Sequence, residues 1–176
     1  MGVASGKWYV EMTYGGSEGG GSTVNDATVG ITARTVTDNN HEPGHYADDY
    51  VYKGQTGNYR NNDGYTSYGD TWTTDDIIGV ALNLDDDELT FYKNNAVQAS
   101  GTAIAISATP HTGNYFFSVG NHSNELEPIF LMNFGGCSSF ALSSAESDEN
   151  DYGNFEYAPP SGYLALCTKN LGSDGG

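Results

Sequence analysis

Between Lys7 and Tyr14 apolar and polar side chains alternate, with Trp8, Val10, Met12 and Tyr14 on one side and Tyr9, Glu11 and Thr13 on the other. A period of two marks a strand, and this one is predicted to be half-buried. The following Gly15 to Ser22 has nothing to bury and predicts a mobile hairpin loop. A second strand is predicted near Ala27 to Ala33, with Val29, Ile31 and Ala33 on one side and Gly30 between them. Asp75 to Asn94 is the clearest unit: Ile77 to Leu84 and Leu89 to Lys93 are β-rich runs joined by the polar link Asp85-Asp86-Asp87-Glu88, a hairpin. Asn94 and Asn95 then stand where a primed turn wants residues that tolerate positive φ. Further strands are predicted at Tyr115 to Val119 and Ile129 to Phe134, before the polar stretch Ser143 to Gly153. No apolar period of 3.6 residues persists for about three turns anywhere. The pattern predicts an all-β fold, an antiparallel two-sheet β-sandwich with Trp8, Val80, Leu82, Phe91 and Phe134 in its core.

The segment from Arg34 to Thr74 reads differently. It is rich in Asn, Asp, Gly and Tyr, with short strand-like pieces at Tyr50-Val51-Tyr52 and Gly57-Asn58-Tyr59 between turn formers. Tyr46, Tyr50, Tyr52, Tyr59, Tyr65, Tyr68 and Trp72 all fall within it. Such aromatic residues give large contact area at low entropic cost, and with Asn and Asp around them they suit a protein or a sugar. Alternating tyrosines are also what a half-exposed strand contains, so sheet packing and a contact surface both remain open. The candidate binding residues are Tyr46, Tyr50, Tyr59, Tyr65, Tyr68 and Trp72, joined by Asn121 and His122 from a second loop that is expected to face outward.

Composition narrows the classes. A chain of 176 residues fits one domain, here read as residues 1–176 with a core at about 6–163 and a C-terminal tail at 164–176. Its 24 Gly and 13 Tyr suit many short strands and turns. Lys and Arg number 6 against 23 Asp and Glu, a net charge of -17, which repels phosphate backbones and makes nucleic acid and anionic membranes poor partners. The longest apolar run, Ile77 to Leu82, is far below the roughly 20 residues of a membrane span, and the N-terminus lacks an apolar signal core. Cys137 and Cys167 match no metal spacing. They read either as two free thiols, buried or half-buried, or as a disulfide whose loop of about 30 residues contributes about 3.5 kcal/mol in the chain-entropy model.

Three motifs tempt. His41-Glu42-Pro43-Gly44-His45 spells H-E-x-x-H, whose zinc chemistry needs a helix to set both histidines on one face. Pro43 and Gly44 deny that helix, so the segment is expected to be a polar loop without catalytic zinc. Gly15-Gly16-Ser17-Glu18-Gly19 spells G-x-S-x-G, but no helix follows to make a nucleophile elbow. Asp85 to Glu88 lacks the spacing of a calcium loop; a solvated turn is the simpler reading, with a structural calcium ion as the alternative. No nucleophile, base and orienting group assemble, so no enzyme activity and no cofactor are expected.

Taken in order, Gly6-Lys7-Trp8-Tyr9-Val10-Glu11, Val29-Gly30-Ile31, Asp76 to Asp85, Leu89 to Asn94 and Asn133-Phe134-Gly135 resemble the SPRY domain over roughly Gly6 to Tyr163. The ending Tyr157 to Leu171 resembles that of SPRY modules in large structural proteins of bacterial viruses. The resemblance implies a bent, concanavalin-like β-sandwich that binds other macromolecules through loops and has no common catalytic centre. It further implies an exterior virion or decoration component held to other virion subunits in an oligomer or larger assembly. The alternative is the adhesin head of a fibre, binding a host receptor or glycan. Related viral modules carry further β sequence before the Gly-Lys-Trp-Tyr run, so an unpaired sheet edge that accepts a neighbour's strand is expected. Position 95, usually Gly in the family's turn, is Asn here.

Overall fold

The computed structural model describes residues 1–17, 27–34, 41–121, 128–137 and 139–173. Its strands are β1 (Lys7–Ser17), β2 (Thr28–Thr32), β3 (Tyr50–Lys53), β4 (Asn58–Asn61), β5 (Gly64–Ser67), β6 (Ile77–Asn83), β7 (Glu88–Lys93), β8 (Ala96–Val97), β9 (Ile104–Ala105), β10 (Phe116–Gly120), β11 (Pro128–Asn133) and β12 (Leu164–Ala165). One short helix, α1 (Thr168–Ser173), follows near the end. Two sheets result: a seven-stranded one in the order β11-β1-β6-β7-β8, with β12 also on β1 and β9 on β7, and a five-stranded one in the order β10-β2-β3-β4-β5. The chain divides into two compact units: Met1–Val3, Tyr14–Asp76 and Ile106–Phe130 form one, and Ala4–Thr13, Ile77–Ala105 and Leu131–Gly176 the other.

In the second unit, alternation sets the register. Trp8 pairs with Leu82, Val10 with Val80 and Met12 with Ile78, while Val80 and Leu82 pair onward with Phe91 and Leu89. All eight are buried, as befits one apolar sheet face whose large side chains each contribute about 1.5–3 kcal/mol by leaving water. The other face of β1 departs from the half-buried strand predicted, because Tyr9 and Glu11 are buried as well. Tyr9 meets Phe155 edge-on at 5.3 Å and packs with Ala81 and Ala165. Its ring also crosses β6 at Gly79, where any Cβ would stand 2.9 Å from Tyr9 Cε2.

Glu11 enters that face because the chain near residue 156 brings donors to it. The backbone N–H groups of Glu156 and Tyr157 each donate to its carboxylate at 2.8 Å, and Asn133 Nδ2 donates at 3.4 Å. Asp148 plays the same part for the C-terminus, accepting from Ala165 N at 2.8 Å and Asn170 Nδ2 at 2.7 Å on one oxygen and from the N–H of Asn150 and Tyr152 on the other. Residues 164–173, expected as a tail, therefore supply a strand parallel to β1 and a helix with Asn170 buried. Phe134 also departs from expectation. It is half-buried at the wall of a cavity instead of in the core.

The predicted hairpins form. Asp85 to Asp87 turn β6 into β7, with Asp85 Oδ1 accepting from Gly6 N and Asp86 from Asn83 Nδ2 and Lys7 Nζ, so two of these acids serve the fold. Asn94 and Asn95 adopt φ of 47° and 70°, the paired left-handed conformation of a type I′ turn. Gly15, Gly16 and Ser17 lie in β1 instead of a loop, which also removes the elbow reading of that motif; Glu18 to Ser22 lie outside the described residues.

Candidate functional site

In the first unit, the segment read as loop-rich contains the meander β3-β4-β5. Its register puts Val51, Arg60 and Tyr65 in one cross-strand row and Tyr52, Tyr59 and Thr66 in the next, so the two rows occupy opposite faces. The β4–β5 connection is another type I′ turn, with Asn62 and Asp63 at φ of 49° and 59°. Its tip holds the turn that spells H-E-x-x-H: Asn62 N donates to Tyr46 O at 3.2 Å and Asp63 N to Gly44 O at 3.1 Å. Gly44, at φ of 89°, lets that turn lie flat on the sheet, since a Cβ there would stand 2.9 Å from both Val51 Cγ2 and Arg60 Cγ. No helix forms, so the two histidines have no zinc-protease geometry.

A cluster of rings and charges is built on this support. The His41 and His45 rings stack at 3.8 Å, and His45 meets Tyr46 edge-on at 4.6 Å. Arg34 lies over the Tyr46 ring at 3.8 Å and reaches Asp48 at 3.5 Å. Arg60 contacts Glu42 at 2.5 Å and Asp63 at 2.6 Å, while its guanidinium and the Lys53 ammonium sit 5.4 Å and 5.6 Å from the Tyr65 ring centre. Tyr65 donates its hydroxyl proton to Glu42 at 3.3 Å. His45 Nδ1 lies 2.9 Å from the Asp63 carboxylate, and this hydrogen bond, helped by Arg60, holds Asp63 below the usual carboxylate range. Three of the six Lys and Arg residues in a chain of net charge -17 thus gather here, each against a tyrosine ring. Their charge is largely met by Glu42, Asp48 and Asp63, so the surface suits mixed aromatic and polar contact better than clamping of a bare anion.

The expected aromatic residues divide. Tyr46 and Tyr65 belong to the cluster, and Tyr65 is 49% exposed. Tyr50 and Trp72, expected on the contact surface, are instead buried, at 2% and 3% exposure. Strand alternation turns Tyr50 inward with Ile31 opposite it, and its hydroxyl accepts from Ser107 N at 3.1 Å. Trp72 lies 6.4 Å from Tyr52, whose hydroxyl donates to Asp70 O and whose ionisation burial pushes well up. Tyr59 and Tyr68 are half-buried, 6.0 Å apart and edge-on, with Tyr68 also against Tyr52. Asn121 follows β10 and is half-buried; His122 lies outside the described residues. Sequence reasoning passed over Arg34, Arg60 and Asp63, and weighed His41, Glu42 and His45 only as metal ligands. The Asn-Asp-Gly run at 62–64 was the available signal, because it fixes a hairpin and with it the side of the sheet Arg60 and Tyr65 share. Among the described residues, no group of three His, Cys, Asp or Glu is arranged to hold a metal ion.

Comparison with known proteins adds three findings. Residues 7–144 match the model of the SPRY domain family. The structure is similar to the SPRY domain of human HERC1, with a TM-score of 0.56 at 19% identity over 75% of this chain and 77% of that one. At that identity the likeness concerns the fold alone, a SPRY β-sandwich. No curated protein matches the chain.

Proposed function

The chain belongs to the SPRY domain family, a family of protein-interaction modules, and from that premise we propose that it is a non-enzymatic binding and assembly module on the exterior of a bacterial virus. The observation that carries the binding role is the surface cluster of His41, His45, Tyr46, Arg60 and Tyr65, where rings, cations and acids are held ready on a sheet instead of a floppy loop. Preorganisation of this kind lowers the ordering cost of association. The cluster's histidines and carboxylates are engaged with one another, which suits recognition and leaves no obvious base and nucleophile pair. The viral setting rests on the likeness of Tyr157 to Leu171 to the endings of modules in phage structural proteins. Its partners are other virion subunits, anchored by strand addition at a terminal strand such as β11.

A host-attachment role is the second reading, favoured by one feature: the exposed Tyr65 ring stands beside the Glu42 carboxylate, an arrangement that suits a sugar's apolar face and hydroxyls. The double variant Tyr46→Ala, Tyr65→Ala separates them, with buried Trp72 left intact. Particles that lose the protein during assembly support the structural role. Intact particles with reduced host adsorption select the attachment role. Correctly folded double variants that change neither property reject the cluster as the binding surface.

A further inference from the structure

We propose that Cys137 and Cys167 form one reducible disulfide that fastens the C-terminal segment to the end of β11. The chain's two cysteines are separated by about 30 residues, yet both line the same cavity of about 380 Å³, with Met132, Phe134, Gly135 and Gly136 completing its wall. Both are half-buried free thiols, reachable by a small oxidant. The backbone beneath each is fixed. Asn133 Oδ1 accepts from the N–H groups of Gly135, Gly136 and Cys137 at 2.9, 3.0 and 3.2 Å, folding the chain back directly after β11. Cys167 N donates to Ala165 O at 2.8 Å, and Cys167 O accepts from Leu171 N at 3.0 Å, which pins it at the start of α1.

These two stretches touch. A Cβ on Gly135 would lie 3.3 Å from Ala165 Cβ, and each of these residues stands two positions before its cysteine. A disulfide needs Cα atoms about 4.4–6.8 Å apart, and the close approach of Gly135 to Ala165 brings the two cysteine-bearing stretches toward that span. That segment is otherwise held by the two-residue pairing of β12 with β1 and by the hydrogen bonds of Asp148 to Ala165 and Asn170.

A low-molecular-weight disulfide such as oxidised glutathione supplies the oxidant. One cysteine thiolate attacks a glutathione sulfur, forming a mixed disulfide and releasing one glutathione thiolate. The second cysteine thiolate then attacks the protein-side sulfur and releases the other. Two electrons pass from the protein thiols to glutathione, whose released thiolates take up the two protons.

The test treats the reduced, full chain with oxidised glutathione and maps its cysteines by mass spectrometry after non-reducing digestion. The 137–167 cross-link is expected to exceed glutathione-capped thiols by about tenfold in the folded chain, and that preference to vanish in urea. Proteolytic release of residues 164–173 should slow about tenfold on oxidation and recover on reduction. Cys137→Ser and Cys167→Ser should each stop at one mixed disulfide and show no slowing; the reduced wild-type chain serves as the comparison if either variant fails to fold. Glutathione persisting on both thiols of the folded chain, cross-linking between molecules, or a cross-link equally abundant in urea would overturn the proposal.

Discussion

In the second unit two carboxylates are inside. Glu11 is buried and accepts from the N–H groups of Glu156 and Tyr157 in an irregular segment far along the chain, and buried Asp148 accepts from Ala165 in β12 and Asn170 in α1. The first unit has buried carboxylates too, Asp48 accepting from His111 N and Asp49 from Thr32 Oγ1, but there Asp63 stands exposed at the cluster and meets Arg60 and His45. The same residue types thus do two different jobs. A buried carboxylate is costly to desolvate and is kept only where several donors converge, so it fastens loops that have too little apolar surface to hold themselves. A paired surface carboxylate adds little stability but sets where an arginine and a ring stand, which is what a recognition surface requires.

The largest expected effect separates core from surface. Phe91 is fully buried opposite Val80, and Phe91→Ala should cost about 3–5 kcal/mol in denaturant unfolding. Tyr65→Ala, on the exposed cluster, should cost under about 1 kcal/mol. Equal losses would dissolve the distinction between a packed sheet and a presented surface.

Next comes the carboxylate that fastens a loop. Glu11→Ala strands the N–H groups of Glu156 and Tyr157 without their acceptor and should cost about 2–4 kcal/mol. Hydrogen exchange at those two amides should rise more than at Val80. A loss below about 0.5 kcal/mol would show that water or another acceptor replaces Glu11.

Titration gives the buried Glu11 and the exposed Asp63 opposite signs. Burial raises Glu11 above the ordinary carboxylate range, although the two N–H donors oppose the shift. Its folded form therefore favours the proton, and its contribution is full below about pH 4 and declines as pH climbs through the raised value. The hydrogen bond from His45 lowers Asp63, so its contribution is present above about pH 4 and is lost as pH falls through the lowered value. The stability difference between wild type and Glu11→Gln should thus shrink on going to neutral pH, and that between wild type and Asp63→Asn should shrink on acidification. Slopes of the same sign in both series would reject the assignment.

How much of this could be read beforehand follows the same division. The Ile77 to Lys93 hairpin was legible because its apolar positions alternate around one polar turn, and local pattern is enough for that. The alternation of Lys7 to Tyr14 gave the strand but not its second buried face. A glutamate at a strand position reads as solvent-facing, and its donors lie 145 and 146 residues away. The tyrosines marked the right segment, yet which of them are presented depends on register, and β5, Gly-Tyr-Thr-Ser, is too short to announce itself. Asp148 sits in a run of polar residues indistinguishable from a solvated loop until Ala165 and Asn170 arrive beside it.

The smallest effect tests whether the well-read sheet is also well tuned. Asn95 occupies the second central position of the β7–β8 turn at φ of 70°, a conformation that costs most L-residues roughly 1–2 kcal/mol and costs Asn less. Glycine pays no such steric penalty there and Asn-Gly is the preferred pair for a type I′ turn, but glycine loses more freedom on folding. The two terms nearly offset, so Asn95→Gly should stabilise the chain by only about 0.5 kcal/mol, while Asn95→Ala should destabilise it by about 1 kcal/mol. Asp63→Gly offers the counterpart in the β4–β5 turn: it gains the same backbone relief but removes the partner of Arg60 and His45, so it should not stabilise. If both glycine variants stabilised equally in thermal unfolding, the Asp63 side chain would contribute nothing beyond its backbone, and the surface cluster would lose the anchor on which its geometry rests.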